Sequence, residues 1–256
     1  MKISIVQSDI FWEDKSANFK KNEDLISQVS IKPDIVILPE MFTTGFSMNH
    51  ERSGEAPGKE TYKWMAAMSS KNSFGICGSY IVKDNNHVFN RWIFVTPDRK
   101  SFHYDKRHLF RMENEEKDFT QGKKRVVFKF RGIRICPNIC YDLRFPVWSR
   151  NRNDYDLLIN SACWPEARRE VWITLLKARA IENQCFVAGA NRTGIDGNGI
   201  KYCGDSMIIN PRGEIIASAN RSEGILTADI SVTELNEFKR KFPVYMDSDD
   251  FLLRLK

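Results

Sequence analysis

Three side chains of different chemistry each follow a short strand-like segment of this sequence. Glu40 comes just after the apolar run Ile35 to Leu38, and Lys106 and Cys140 follow two further segments of this kind. Ends of strands are where open α/β sheets bind ligands, so the three groups are candidates for one pocket. There a thiol can attack an electrophile, a carboxylate can carry its proton and an ammonium can stabilise negative charge.

Each of these residues also has a purely structural interpretation. A glutamate after a strand is often a solvated turn residue, and a lysine in a charged segment is often exposed. A cysteine at a strand end often packs as a small buried hydrophobe. Residue types and spacing alone leave these alternatives open.

Strand-like and helical segments alternate along the chain, without a repeat or a linker. This alternation predicts an α/β fold in a single domain. Pro137 argues against an interior position for the strand that contains it. The predicted strands are 3–7, 34–38, 74–82, 88–95, 101–105, 126–130, 133–139, 157–159, 186–190, 206–209, 214–217 and 225–230, and the predicted helices are 18–29, 62–70 and 170–183.

The composition is that of an ordinary globular protein, with 42% hydrophobic and 28% charged residues. Because the Lys and Arg behind the net charge of +6 are scattered, we expect no nucleic-acid partner. The sequence has no signal-peptide pattern and no apolar run near the ~20 residues that span a bilayer, so we expect no membrane association and a cytoplasmic location.

The cysteines and histidines do not form a metal-binding or disulfide pattern. There are six cysteines and four histidines, and no C-x-x-C pair. We therefore expect no metal.

Several blocks of this chain, taken in order, resemble the signature of the carbon-nitrogen hydrolase (nitrilase) superfamily, whose catalytic residues are Glu, Lys and Cys. The resemblance implies a four-layer αββα sandwich over residues 1–256, with 231–256 as a C-terminal helix and tail. It also implies no cofactor and a homodimer. The blocks are Leu38-Pro39-Glu40, Lys106 with Leu109-Phe110, Cys140 to Pro146, Lys177 to Gln184, Gly204-Asp205-Ser206 and Asn210-Pro211-Arg212-Gly213.

Within the superfamily, the segments 105–112 and 144–151 look like those of bacterial omega-amidases, which remove the terminal amide of 2-oxo acids such as 2-oxoglutaramate. The resemblance implies a small-molecule amide substrate and a thioester on Cys140. Glu40 would be the general base, and Lys106 with the backbone N–H of Tyr141 would bind the oxyanion.

Family members often carry a second glutamate after the lysine, and Glu113, Glu115 and Glu116 compete for that place. We choose Glu115, because it precedes a Phe119-x-x-Gly122 segment with the family's spacing. Its expected role is to orient Lys106 and the substrate amide. The alternative is a solvated acidic loop.

Two further residues are candidates for substrate binding. Arg144 lies four residues beyond Cys140, and its planar guanidinium suits a substrate carboxylate. The alternative is a structural pair of Arg144 with Asp142 or another local carboxylate. Trp164 either forms a wall of the pocket or packs in the core.

Arg179 and Glu182 are spaced for a structural pair on one helix.

Other functions remain open at this stage. A Cys–His hydrolase would use His108 or His103 as its base, although no signature of that class surrounds Cys140. A catalytically silent scaffold would have no need of all three catalytic positions. Within the superfamily, a deaminated-glutathione amidase and an N-carbamoyl amidohydrolase are the alternatives.

Overall fold

The computed structural model describes residues 1–255, in which strands and helices alternate. The strands are β1 (Lys2–Gln7), β2 (Ile35–Ile37), β3 (Gly75–Asp84), β4 (His87–Val95), β5 (Ser101–Asp105), β6 (Phe128–Phe130), β7 (Ile133–Ile139), β8 (Leu157–Ala162), β9 (Phe186–Asn191), β10 (Thr193–Ile195), β11 (Lys201–Cys203), β12 (Met207–Ile209), β13 (Ile215–Ser218) and β14 (Gly224–Asp229). The helices are α1 (Lys15–Ser27), α2 (His50–Ser53), α3 (Glu60–Asn72), α4 (Glu115–Asp118), α5 (Arg169–Asn183) and α6 (Val232–Lys241), with 3-10 helices at Arg111–Glu113, Cys140–Arg144, Glu166–Arg168 and Val244–Asp247.

Two six-stranded sheets carry the fold. The first has the order β14-β1-β2-β3-β4-β5 and the second β13-β12-β9-β8-β7-β6. In each sheet three adjacent interior strands are parallel to one another: β1, β2 and β3 in the first sheet, and β7, β8 and β9 in the second. Two antiparallel pairings separate β3 from β5, so β5 runs in the direction of β3. The ends of β2 and β5 therefore lie at the same edge of the first sheet.

The two sheets pack face to face and helices cover their outer faces. Ile5 and Ile37 of the first sheet and Ile135 and Ile159 of the second are fully buried in one shared core. A second cluster joins α1 and α3 to the first sheet, and a third joins α5 to the second. The predicted αββα sandwich in a single domain is confirmed.

Strand β2 shows why its sequence is a continuous apolar run. Ile35 and Ile37 face the core between the sheets, whereas Val36 faces the helix layer. All three side chains are fully buried, as is typical of a strand covered on both faces.

The structure differs from the sequence-based expectations at several points, among them the short helices α2 and α4, which were not predicted, and a longer β8. Pro137 does lie inside β7, but β6 pairs only with Ile133 to Ile135, so that side of β7 is unpaired at Pro137 and the missing N–H breaks no ladder. Helix α1 begins earlier than predicted, at Lys15, because the Asp14 side chain accepts the N–H of Ala17 at 3.0 Å. The hairpin of β10 and β11 was not predicted.

The C-terminal region begins with α6, whose Ser231 side chain caps the N–H of Glu234 at 3.2 Å. Across the part of the chain that the structure describes, no helix combines the length and apolar character needed to cross a membrane.

Candidate active site

Two carboxylates hold Lys106 at one edge of the first sheet. Glu40 follows β2 and Lys106 follows β5. Lys106 Nζ donates to Glu40 Oε1 at 2.8 Å and to both oxygens of Glu115 at 2.9 Å. None of the three side chains is more than 1% exposed. The ammonium is thus buried between two counter-charges, which is the condition under which a buried charge is tolerated.

These contacts keep Lys106 protonated. Burial lowers the pKa of Lys106, but the negative charges of Glu115 and Glu40 raise it, and the net pKa lies above the ordinary lysine value. Burial raises the pKa of Glu115, and Lys106 opposes that rise. An ammonium has three N–H donors. The two oxygens of Glu115 lie too close together to take separate N–H bonds, so they share one, and Glu40 takes another. One N–H therefore remains available.

Of the three glutamates that compete in the acidic loop, Glu115 is the one that contacts Lys106. Its Oε2 also accepts the backbone N–H of Phe110 at 2.6 Å, which fixes the carboxylate. Glu113 lies instead on the wall of the cavity beside Cys140. Glu116 has a buried Oε2 without a hydrogen-bond partner among residues 1–255.

Donors from both sheets orient Glu40. Asn90 Nδ2, in β4, donates to Glu40 Oε1 at 2.8 Å, and the backbone N–H of Cys163, just after β8, donates to Oε2 at 2.8 Å. The Cys163 thiol also donates to the backbone carbonyl of Glu40 at 3.2 Å. The carboxylate is therefore held across the interface between the sheets.

Cys140 follows β7 in a strained conformation. Its φ is 42°, in the left-handed region that residues other than glycine rarely adopt. Asp142 fixes the turn, because its Oδ2 accepts the N–H of Ile139 at 3.0 Å. The turn places Cys140 on the wall of a cavity that Lys106 also lines.

The Cys140 thiol rests in its protonated form. Burial raises the pKa of Cys140 and the charge of Glu40 raises it further, whereas the charge of Lys106 lowers it. Lys106 does favour the thiolate, as the sequence suggested, but burial and Glu40 outweigh it. Attack by this sulfur consequently requires a general base.

The cavity beside Cys140 is small. Counted by the positions open to the centre of a water molecule, its volume is about 30 Å³. One water needs roughly 10–15 Å³ on that measure. Tyr141, Arg144 and Trp164 all line this cavity. The residues predicted to bind substrate therefore surround the candidate nucleophile.

Arg144 and Trp164 form one side of the cavity. The Arg144 guanidinium lies 5.2 Å from the centre of the Trp164 ring. Asp142 does not pair with Arg144, because its carboxylate accepts from the Tyr104 hydroxyl and from the backbone and ring of His108. Trp164 is only 3% exposed and also packs in the α5 core, so both interpretations of this residue apply.

The histidines lie away from the cavity. His108 stacks on Phe145 and its Nδ1 is 2.7 Å from Asp142 Oδ1, and neither His108 nor His103 lines the cavity. In residues 1–255, no group of three or more His, Cys, Asp or Glu side chains could hold a metal ion. Glu40 does not line the cavity either, but its carboxylate is near enough to the Cys140 thiol to raise the thiol pKa, which makes it the candidate base.

The Carbon-nitrogen hydrolase family model matches residues 2–240. The chain belongs to this family. This carbon-nitrogen hydrolase is 44% identical over 254 residues to omega-amidase YafV of Escherichia coli strain K12, covering 99% of this chain and 98% of that one. It is 36% identical over 250 residues to 2-oxoglutaramate amidase of Bacillus subtilis strain 168, covering 96% of each chain.

A solved structure agrees with this membership. XC1258 from Xanthomonas campestris is described as a CN-hydrolase superfamily protein with an arsenic adduct in its active site. It is similar to this hydrolase with a TM-score of 0.96 and 40% identity, covering 99% of both chains. The resemblance seen in the sequence is confirmed, and the protein is an amidase of the nitrilase superfamily that acts on carbon-nitrogen bonds.

Three residues of the site were missed in the sequence. Asn90 and Cys163 orient Glu40, and Arg168 lines the cavity. Cys163 contributes a backbone N–H, which the residue type does not reveal. Arg168 closely follows Trp164 in the sequence, and that proximity to a candidate wall residue was the one signal available.

Proposed function

We propose that this hydrolase is a thiol omega-amidase that releases ammonia from a small carboxylate-bearing amide such as 2-oxoglutaramate or 2-oxosuccinamate. The observation that carries this proposal is the buried Glu40–Lys106–Glu115 cluster beside Cys140 at a small cavity. The names of the two relatives, an omega-amidase and a 2-oxoglutaramate amidase, support the substrate class.

In the first half of the reaction, Glu40 takes the proton of the Cys140 thiol as the sulfur attacks the amide carbon. The oxygen of the tetrahedral intermediate accepts from the free N–H of Lys106 and from the backbone N–H of Tyr141. Loss of one such donor costs about 2.7–4 kcal/mol of transition-state stabilisation. Glu40 then gives the proton to the departing nitrogen, the C–N bond breaks, and ammonia leaves a thioester on Cys140.

In the second half, water replaces ammonia. Glu40 takes a proton from the water while its oxygen attacks the thioester carbon, and Lys106 and Tyr141 again stabilise the oxyanion. The C–S bond breaks, the acid product leaves, and the proton returns from Glu40 to the sulfur. Glu115 holds the Lys106 ammonium in place through both halves.

We propose that Arg144 holds the carboxylate of the substrate, with Trp164 as the wall beneath it. A guanidinium can bind a carboxylate through two parallel hydrogen bonds, which a lysine cannot reproduce. Because the cavity is small, it favours a short omega-amide over a peptide-sized substrate such as a glutathione derivative.

The test is ammonia release from a panel of 2-oxo-acid amides, neutral aliphatic amides, nitriles, deaminated glutathione and N-carbamoyl amino acids. We expect the highest kcat/KM on the 2-oxo-acid amides. Cys140→Ala should abolish release with little change in melting temperature. Mass spectrometry with a slow substrate should find the acyl group on the Cys140 peptide. An adduct on Cys136 or Cys163, or a preference for another class of the panel, would overturn the proposal.

A further inference from the structure

A second guanidinium lines the cavity that holds Cys140. Arg168 ends the 3-10 helix Glu166–Arg168, directly before α5. Its guanidinium carbon lies 5.2 Å from the centre of the Phe110 ring. Phe110, Arg144 and Trp164 line the same cavity. Two arginines, each with its guanidinium over an aromatic ring, therefore line the cavity that we propose for the substrate.

Among residues 1–255, the Arg168 guanidinium has no hydrogen bond or ion pair. The acidic side chains of its chain neighbours Glu166 and Glu170, and Asp205, are paired with other arginines. Glu166 pairs with Arg221 at 2.9 Å. Glu170 and Asp205 both pair with Arg169, at 2.7 and 2.8 Å.

Arg168 is partly exposed, so its guanidinium can stay unpaired without the cost of a buried charge. The donors of Arg168 are available to a ligand.

The backbone of Arg168 is fixed. Its N–H donates to the carbonyl of Pro165 at 3.0 Å, and its carbonyl accepts from Trp164 Nε1 at 2.9 Å. Trp164, which forms the wall, is thus hydrogen-bonded directly to Arg168, which carries the charge. The cation–π contact with Phe110 uses none of the guanidinium N–H donors, so they remain free to donate.

We propose that Arg168 determines specificity by donating to the oxygen on C2 of the substrate, while Arg144 holds the adjacent carboxylate. This inference rests on the proposed omega-amidase function and deepens it. A 2-oxo acid presents two neighbouring acceptors, which match two neighbouring guanidinium groups. A 2-amino acid such as glutamine presents an ammonium at the same carbon, which Arg168 repels. The pair of arginines thereby separates 2-oxo-acid amides from the corresponding amino acids.

The remaining charge on the wall agrees with this selectivity. Glu113 is the carboxylate that lines the cavity together with Arg144 and Arg168. Lys106, which also lines it, is already paired with Glu40 and Glu115. The two guanidinium groups outnumber the one free carboxylate, so the wall favours an anionic head over a zwitterionic one.

The experiment compares kcat/KM on three amides that differ only at C2: 2-oxoglutaramate, the monoamide of glutaric acid and L-glutamine. Arg168→Gln should lower kcat/KM about 10- to 100-fold on 2-oxoglutaramate and change it less than about threefold on the glutaric monoamide. The ratio of 2-oxoglutaramate to glutamine should fall by at least about tenfold. Arg144→Gln should instead lower all three alike, because each substrate carries the carboxylate.

Two further variants serve as controls for the Arg168→Gln result. Arg111→Gln removes an exposed charge from the neighbouring loop and should alter none of the ratios. Arg168→Lys keeps the charge without the planar fork. It should retain the rejection of glutamine while losing part of the 2-oxo preference, and it carries the test if Arg168→Gln melts at a lower temperature.

The possible failures are distinguishable. If the wild-type protein hydrolyses 2-oxoglutaramate but the ratios are unchanged in both Arg168 variants, the role of Arg168 is wrong and the proposed function stands. An equal loss on all three amides in Arg168→Gln would also overturn the role in reading C2. Wild-type inactivity on every 2-oxo-acid amide would overturn both proposals.

Discussion

The proton on Cys140 lies under the opposing influence of two charged neighbours. Burial and the carboxylate of Glu40 raise the pKa of the thiol, and the ammonium of Lys106 lowers it. Glu40, which we propose as the base, thus also keeps the proton in place at rest. A substitution of Glu40 or Lys106 can therefore change the reactivity of the sulfur and the turnover of the amide in different directions.

We predict that Glu40→Gln speeds alkylation of Cys140 by iodoacetamide at neutral pH while it removes most amide turnover. Loss of the negative charge lowers the thiol pKa, so a larger fraction is thiolate at a given pH. Lys106→Met removes the opposing charge and should slow alkylation. Rates are measured by mass spectrometry of the Cys140 peptide, with Cys140→Ala as the blank. Slower alkylation in Glu40→Gln would contradict this account of the resting thiol.

Glu40 and Lys106 should also behave as one unit with Cys140 in steady-state kinetics. Residues that act together give strongly non-additive losses. We expect Glu40→Gln and Lys106→Met each to lose most of kcat, and the double variant to be little worse than either. Losses that multiply in the double variant would indicate independent roles.

At the residue scale, the sequence predicted side-chain chemistry better than the contacts that orient it. Glu40, Lys106 and Cys140 were placed through motif resemblance, since each alone also suits a structural role. The hydrogen bond from Cys163 N to Glu40 Oε2 joins residues 123 positions apart. Such a backbone contact depends on how the sheets pack and leaves no trace in residue type.

At the scale of elements, α5 supports the turn that carries Cys140. Arg179 on α5 donates to the carbonyl of Leu143, in the 3-10 helix that begins at Cys140, and pairs with Glu182 at 2.9 Å. This agrees with the structural interpretation of the Arg179–Glu182 pair. The position of α5 on the second sheet is therefore linked to the position of Cys140.

Close packing of α5 on β9 gives a stability prediction. A Cβ at Gly189 would lie 2.5 Å from Leu176 Cδ1 and 2.9 Å from Trp172 Cζ2. Both are core side chains with little freedom to move, so Gly189→Ala should cost about 1–3 kcal/mol. Gly224→Ala is the matched control, because a Cβ there meets no atom within 4 Å. The test is the melting temperature of each variant. Equal melting temperatures for Gly189→Ala and Gly224→Ala would contradict tight packing at β9.

Elements with strong periodicity were predictable and irregular ones were not. Strands β5 and β7 have the predicted bounds, and α5 begins one residue before its predicted start. The hairpin of β10 and β11 has strands of three residues around a glycine-containing turn, too short for an alternating pattern. The expectation drawn from Pro137 was wrong because a missing N–H matters only where a neighbouring strand would accept it. How far the neighbouring strand extends is a property of the sheet and cannot be read from the proline.

At the scale of the whole molecule, the site exists only where the two sheets meet. Glu40 and Lys106 come from the first sheet, and Cys140 from the second. Ser161 links the sheets nearby, because its hydroxyl donates to the carbonyl of Leu38 at 2.8 Å and accepts from Trp92 Nε1 at 3.3 Å. Ser161, Leu38 and Trp92 are fully buried. Because such a packed interior is rigid, the way the two sheets pack on each other fixes the distances within the site.

The family resemblance implies a homodimer, and the surface beside α5 is where we expect it to form. Ile181 on α5, Phe242 and Met246 are 55%, 61% and 71% exposed. Gln184 Nε2, at the end of α5, donates to the carbonyl of Phe242 at 2.8 Å, so the segment that carries Phe242 lies against the C-terminal end of the helix that carries Ile181. Clustered exposed apolar side chains of this kind mark interaction surfaces, and a twofold dimer would bury each of them against the same patch of its partner.

Light scattering at micromolar concentration should therefore give twice the 29.8 kDa of one chain. Phe242→Asp and Ile181→Asp should shift the mass toward a single chain, because a charge buried at the centre of an interface is costly. Ile31→Asp changes an equally exposed isoleucine, at 60%, beyond the end of α1 on the opposite helix layer, and should leave the dimer intact. A wild-type mass of one chain would refute the dimer. A dimer that survives both α5-side variants would place the interface elsewhere.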